Sequence, residues 1–123
     1  MSPQHVPASV TELSRIGLLS SLPGEQLARL ADRMRREEVL AGTTLVREGE
    51  PGDRFFVLLS GLLAVHQKAL GPRRLLRPGE YFGEVAAAMD IPRTATVTTL
   101  TPCTVASCDR EAFEEHILPL FSA

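Results

Sequence analysis

The 123-residue sequence lacks a strong net charge and a long apolar run, and each absence excludes a class of protein. Its 13 basic and 15 acidic side chains leave a net charge of −2, so it carries no electrostatic footprint for binding a nucleic-acid duplex. The longest apolar stretch, from Phe55 to Val65, is eleven residues long and is interrupted by Ser60 and Gly61. That stretch is too short to cross a bilayer. We therefore expect one globular domain that neither binds nucleic acid directly nor inserts into a membrane.

The sequence also shows no export signal and no pair of cysteines placed to form a disulfide with each other. The first ten residues hold no basic segment followed by an apolar one, so a signal peptide is not expected. The only cysteines, Cys103 and Cys108, are five positions apart on one expected strand, and an odd spacing places them on opposite faces. Without a disulfide between them, a reducing compartment fits best. We expect a cytoplasmic domain, which includes the cytosolic part of a membrane protein.

The sequence also has no group of residues with the spacing typical of a metal site or a catalytic site. His5, His66 and His116 are scattered, and no thiol or carboxylate shares a metal-ligand spacing with them. No Ser–His or Cys–His pair is placed for nucleophilic catalysis. The sequence therefore predicts a protein that binds a ligand without a metal and is not an enzyme.

The organisation along the chain predicts a mainly β fold with flanking helices. Residues 1–8 contain two prolines and are expected to form a flexible tail. Residues 9–36 are expected to form a helical element, in which Ser9 caps a short helix and a second, amphipathic helix follows. Asp109 is expected to cap a closing helix over residues 109–123.

The segment between these helices, residues 37–108, reads as short strands separated by turns. Its glycines recur at intervals of three to ten residues, which is typical of an all-β barrel or sandwich. The expected strands are Glu37–Leu40, Thr44–Arg47, Phe55–Ser60, Leu62–Lys68, Arg73–Leu76, Ala95–Thr99 and Cys103–Ser107.

The segment 82–97 carries groups suited to a small phosphorylated ligand. The Glu84 carboxylate can accept hydrogen bonds from a sugar hydroxyl, and the planar fork of Arg93 suits a phosphate. Between them, Val85–Ala88 is predicted to form one helical turn. Its amides would face an anion that enters beside Gly83.

This combination resembles the phosphate-binding cassette of cyclic nucleotide-binding domains. The letters FGEVA, then AA, MDI and PRTATV run through residues 82–97 with the spacing of that cassette and without a gap. Upstream, REGEPGD at 47–53 is similar to the turn before the central strand of the family. The resemblance covers the chain from about residue 13, and it implies a β jelly roll (double-stranded β-helix) with flanking helices and the cassette at 82–97.

The resemblance also implies a role for each residue of the sugar and phosphate site. Glu84 would hold the ribose 2′-hydroxyl, and the Gly83 amide would contribute beside it. Arg93 would pair with the exocyclic phosphate oxygens. The amides of Ala86 and Ala95 would complete the anion cradle.

The remaining ligand contacts that the resemblance implies lie around the base. Thr94 would touch the phosphate or a purine edge, whereas Val65 and Leu76 would lie against the base. Phe82 and Val85 complete the expected ligand-binding set. The ligand would be cAMP, which is favoured over cGMP.

The sequence departs from the family pattern at two places. Ala87 and Ala88 replace large aliphatic residues, and Met89 is expected to fill the space. Pro119 is expected to interrupt the closing helix, and the lid helix that follows it in relatives is expected to be absent, truncated or supplied by a neighbour.

The function implied is a cyclic nucleotide sensor that regulates an effector not included in this chain, such as a channel, a transporter or a kinase. A homodimer is compatible with this function. Two alternatives stay open: a degenerate jelly roll that binds no nucleotide and serves docking or dimerisation, and a fragment of a cAMP-responsive transcription regulator.

Overall fold

The protein, described here from a computed structural model over residues 5–121, consists of two four-stranded antiparallel sheets with helices packed on one side. The first sheet has the strand order β1-β8-β3-β6 and the second β2-β7-β4-β5. Two facing sheets of four strands confirm the predicted jelly roll. The strands are β1 Arg35–Val39, β2 Thr44–Val46, β3 Phe55–Ser60, β4 Leu63–Gln67, β5 Gly71–Leu76, β6 Tyr81–Phe82, β7 Thr96–Thr99 and β8 Cys103–Cys108.

Helices precede, interrupt and follow the strands. Ser9 caps the first helix as predicted, because its side chain accepts a hydrogen bond from the Glu12 amide at 3.0 Å. Across residues 5–121, no helix combines the length and apolarity that a membrane span requires. The helical segments are α1 Val10–Ser14, a 3₁₀ turn Gly17–Leu19, α2 Gly24–Arg33, α3 Glu84–Met89, α4 Arg110–Ala112, a π-helical turn Phe113–Ile117 and α5 Leu118–Phe121.

The central strands β3 and β8 of the first sheet are buried on both faces, which explains the uninterrupted apolar run in β3. Phe55 and Val57 pack with the helices, whereas Phe56 and Leu58 pack between the two sheets. Successive side chains of a strand point to opposite faces, so a strand between two cores is apolar on both faces. The two cysteines follow the same rule. Both are free thiols, and they belong to different cores.

Residues 5–8 differ from the expected flexible tail. Pro7 forms a bridge with Arg35 at the edge of β1, and the Ala8 amide donates to the Met34 carbonyl at 3.1 Å. Ala8 is itself buried in the helical core. These backbone groups pair because β1 is an edge strand with free donors and acceptors. The expected tail residues 1–4 lie outside the described residues.

Two further expectations about the helices are corrected. Pro119 does not interrupt the closing helix, which continues through the π-helical turn Phe113–Ile117 to Phe121. Met89 does not fill a space in the core, since it is 67% exposed, while Ala87 itself is buried. The last two positions of the expected closing helix, 122–123, lie outside the described residues, and the expectation about the lid helix is not tested.

Candidate functional site

The cassette helix α3 and the inner face of the second sheet enclose a cleft of about 520 Å³, part of it open to solvent. Of the ligand residues that the sequence predicts, the cleft brings together all except Leu76. It is lined by Val46, Val65, Arg74, Phe82, Gly83, Glu84, Val85, Ala86, Arg93, Thr94, Ala95 and Val97.

One row of side chains across the second sheet forms the floor of the cleft. Val46 of β2 pairs with Val97 of β7, Val97 pairs with Val65 of β4, and Val65 pairs with Arg74 of β5. Residues in register share a face, so the floor consists of three valines that end in an arginine on the edge strand. This row places Val65 in the cleft.

Leu76 does not lie in the cleft. It is fully buried in the core between the sheets, where it pairs with Leu63. Arg74, two positions earlier on the same face of β5, lines the cleft instead. The alternation of β5 predicts which residues face the cleft side of the sheet, but not which of them lies at the cleft and which lies in the core. For that reason the sequence analysis chose Leu76 and did not identify Arg74 as a lining residue.

The guanidinium of Arg93 is the buried charge of the cleft. Arg93 is 7% exposed, and its Nη1 donates to the Arg54 carbonyl at 3.2 Å. Within the described part of the chain, the structure gives it no ion pair. Burial lowers the pKa of Arg93, and the negative charge of Asp53 opposes that shift. A buried cation without a paired anion is costly, so this position favours an anionic ligand.

Two glycines leave the space that the guanidinium occupies. A Cβ at Gly52 would lie 2.8 Å from Arg93 Nε, and a Cβ at Gly83 would lie 3.1 Å from Arg93 Nη1. Gly83 also has a φ of +92°, a conformation that other residues rarely adopt. Gly52 is a site residue that the sequence did not identify, although it lies in the turn at 47–53 that resembles the family.

Glu84 begins α3 beside this anion position. Among the described residues, its carboxylate has no hydrogen bond or ion pair, so both oxygens are available to a ligand. The first hydrogen bond of α3 runs from the Ala87 amide to the Gly83 carbonyl at 3.0 Å. The amides of Val85 and Ala86 precede that bond and are left for an outside acceptor.

Thr94 and Ala95 connect the anion position to the floor. The Thr94 carbonyl accepts a hydrogen bond from Gln67 Nε2 of β4 at 2.8 Å, which holds this end of the cassette against the second sheet. No group of three or more His, Cys, Asp or Glu side chains that could hold a metal ion occurs over residues 5–121. The cleft therefore offers a cation, a carboxylate, backbone amides and an apolar floor.

The sequence matches one family and a set of curated regulatory proteins. A family profile described as "Cyclic nucleotide-binding domain" matches residues 36–118. The cAMP-dependent protein kinase regulatory subunit of Yarrowia lipolytica is 38% identical over 109 residues, which are 88% of this chain and 29% of that protein. The equivalent subunit of Eremothecium gossypii is 36% identical over 108 residues, 88% of this chain and 24% of that protein. The chain thus spans less than a third of the length of these relatives.

Solved structures share the fold over nearly the whole chain. A cAMP-bound PfPKA-R (141-441) superposes with a TM-score of 0.86 at 27% identity, covering 92% of this chain and 40% of that one. The PKAR CBD2 with bound Sp-2Cl-cAMPS superposes with a TM-score of 0.82 at 28% identity, covering 90% of this chain and 75% of that one.

Proposed function

This chain belongs to the cyclic nucleotide-binding domain family, and from that membership we propose that its cleft binds a cyclic nucleotide and reports the binding to an effector. The observation that carries the proposal is Arg93, a buried guanidinium that has no ion pair over residues 5–121 and lies at the end of an apolar cleft. A cyclic phosphate carries one negative charge and matches this single buried cation. Among the ligands, cAMP is the first to test, because the curated relatives are named as regulatory subunits of a cAMP-dependent kinase.

The residues of the cleft divide the ligand between them. Arg93 binds the phosphate oxygens, with the Ala86 and Ala95 amides beside it. Glu84 accepts from the ribose hydroxyl next to the Gly83 amide. Arg93 Nη1 donates to the Arg54 carbonyl. Apart from that bond, the charged and backbone groups named here have no competing partner within the cleft, so a ligand breaks few existing contacts.

The effector that fits best is a protein kinase, chosen over a channel or a transporter because of the curated relatives. The chain itself acts as a regulatory binder in the cytoplasm and not as an enzyme. Regulation requires that the ligand favour one arrangement of the cassette relative to the closing helix. Those two elements are in direct contact, since Arg110 Nε of α4 donates to the Ala87 carbonyl of α3 at 3.2 Å.

Titration calorimetry with cAMP and with cGMP tests this function on the wild type, Arg93→Ala and Arg29→Ala. Arg29 is an exposed cation on α2, paired only with Glu25 of the same helix in the described residues, so its loss matches the charge change without touching the cleft. We expect Arg93→Ala to weaken binding by about tenfold to several hundredfold, the value of a charge-assisted hydrogen bond. Arg29→Ala should bind as the wild type does.

The result that would overturn the proposal is a folded wild-type protein that binds neither nucleotide. A degenerate jelly roll that serves only docking or dimerisation would give that outcome. Equal affinity of Arg93→Ala and the wild type would instead overturn the role assigned to Arg93. Thermal unfolding of each variant separates loss of the site from loss of the fold.

A further inference from the structure

The direction of the Arg93 guanidinium depends on one neighbouring carbonyl. The backbone of Arg93 is fixed to the turn at 47–53, because its carbonyl accepts from the Gly49 amide at 2.8 Å and its amide donates to the Glu50 carbonyl at 3.0 Å. Among the described residues, its side chain makes one hydrogen bond, from Nη1 to the Arg54 carbonyl. Whatever holds the Arg54 carbonyl in place therefore also sets the direction of the guanidinium.

The side chain of Arg54 holds this part of the backbone against β8. Its Nε and Nη2 donate to Ser107 Oγ at 3.1 and 3.0 Å, and Nη2 also donates to the Ser107 carbonyl at 3.1 Å. Ser107 is fully buried. Arg54 directly precedes β3, and the pairing of β3 with β8 begins at Phe55 opposite Cys108. The side chain thus holds a residue that lies just beyond the strand pairing.

Arg54 does not reach the ligand position itself. It lines an adjoining cavity on the β2 side, whereas it is not among the residues that line the cleft. Three of its hydrogen bonds go to Ser107, and over residues 5–121 its guanidinium has no ion pair. Its carbonyl and its side chain therefore join Arg93 on one side to β8 on the other. An effect of Arg54 on binding has to pass through Arg93.

We propose that Arg54 is a positioning residue for anion binding, whose contact with Ser107 fixes the carbonyl that directs the Arg93 guanidinium into the cleft. This inference rests on the proposed function, because it assumes that the phosphate lies on Arg93. The planar fork of an arginine suits the role, since it binds the hydroxyl and the carbonyl of one residue together. Without this contact the guanidinium takes several directions, and only the fraction of molecules with the correct one binds the phosphate.

A double-mutant cycle tests the proposal on the wild type, Arg54→Ala, Arg93→Ala and the double variant. The ligand is whichever of cAMP and cGMP the wild type binds more tightly, and NMR titration extends the measurement to weak binding. Arg47→Ala is the matched control. Arg47 is an exposed arginine of the same turn and lines the same adjoining cavity. Its side chain has no hydrogen bond or ion pair in the described part of the chain.

We expect Arg54→Ala to weaken binding about tenfold in the wild-type background and by less than about twofold in the Arg93→Ala background. Ser107→Ala removes the two hydrogen bonds to the hydroxyl and keeps the one to the carbonyl, so it should weaken binding by a smaller factor. Arg47→Ala should bind as the wild type does.

The inference is overturned if Arg54→Ala leaves the affinity unchanged, or if it weakens binding equally in both backgrounds. It is also overturned if Arg47→Ala has as large an effect, which is the signature of general attraction between the positive charge and the phosphate. Thermal unfolding checks that each variant is folded. If Arg54→Ala does not fold, Ser107→Ala in the same two backgrounds is judged by the same criteria. A folded wild type that binds neither nucleotide overturns the proposed function itself.

Discussion

The Arg93 guanidinium fits in its place because two neighbouring residues are glycines, which have no Cβ atom. Gly52 and Gly83 both approach it closely, yet they differ in what else a side chain would meet. At Gly52, the nearest atoms to an added Cβ belong to the flexible end of Arg93 itself. At Gly83, the nearest atom is the Arg54 carbonyl oxygen, at 2.6 Å, which is fixed backbone. The same small change should therefore act on binding at one position and on folding at the other.

We predict that Gly52→Ala weakens nucleotide binding by about tenfold while it changes the free energy of unfolding by less than about 1 kcal/mol. The added methyl group displaces the guanidinium but requires no unusual backbone conformation. Gly83→Ala should destabilise the fold by about 2 kcal/mol or more, because alanine at a positive φ is strained and the Cβ meets backbone. Calorimetry for binding and denaturant unfolding for stability measure the two effects.

Gly17→Ala is the control for both variants, since a Cβ at Gly17 meets no atom within 4 Å. It should change neither quantity by a comparable amount. Binding by Gly52→Ala at wild-type affinity would show that the guanidinium does not need its present position.

Some site residues could be predicted from the sequence and others could not. The cassette could be identified because its residues are contiguous, and all the ligand residues predicted within it line the cleft. Arg74 and Leu76 differ by one step of the two-residue alternation, and a register shift follows Val65 in the β4–β5 pairing. Depth along a strand depends on that pairing. Sequence periodicity carries no record of it.

Between elements, the Arg110 side chain links the cassette helix α3 to the closing helix, in addition to the packing of Ala87 in the helical core. Arg110 Nη2 lies 2.6 Å from Asp90 Oδ1, and Arg110 Nε donates to the Ala87 carbonyl. The hydrogen bond to Asp90 raises the pKa of Arg110. Asp90 ends α3 with a φ of +52°, which is an uncommon conformation for a residue other than glycine. The contact fixes the end of α3, where Asp90 has this strained conformation.

We predict that Arg110→Gln increases amide hydrogen exchange in α3 at Ala87 and Asp90 without lowering protection in β3 and β8. Loss of the fork removes both contacts to the end of α3, and the strained turn then opens locally. Hydrogen-exchange mass spectrometry measures this directly. Arg29→Gln removes an ion pair within α2 alone and should leave α3 unchanged. Unchanged exchange in α3 of Arg110→Gln would mean that the packing of Ala87, and not Arg110, holds the end of α3.

The sequence predicted helices and strands that show a clear hydrophobic period, and it did not predict those that are too short to show one. The long strands and the Ser9 cap were predicted, whereas β6 was not, because two residues are too short to show an alternation. Pro119 was misread, because the residue type alone does not show whether a helix ends at a proline or continues past it. The π-helical turn just before it gives no signal in the composition.

The molecule as a whole is built around the first sheet, which separates two cores. The helices cover one face of β3 and β8, and the second sheet with its cleft covers the other. On the helical side, α2 is joined to the closing helix by an ion pair between Arg33 Nη1 and Glu115 Oε2, at 2.6 Å. Both faces of the central strands are thus buried. Because one of these faces packs against the helices, the stability of the fold also depends on groups far from the cleft.

Cys108 is such a group, and it makes the global stability depend on pH. Burial raises the pKa of its thiol from 9.0 to about 12, and Asp109 adds to the shift while Arg54 and Arg33 oppose it. In the unfolded chain the thiol ionises near its ordinary value, so above that value the unfolded state releases a proton that the folded state retains. Stability is therefore complete below about pH 9 and falls as the pH rises toward 12.

We predict that the free energy of unfolding falls by about 1.4 kcal/mol more between pH 8 and pH 10 in the wild type than in Cys108→Ala. Urea unfolding at a series of pH values measures the difference. The chain has one tyrosine and one lysine, so few other groups titrate in this range. Parallel pH profiles in the two proteins would contradict the assignment. They would mean that the thiol is as accessible to ionisation in the folded state as in the unfolded chain, and that the helical core opens at β8 before the molecule unfolds.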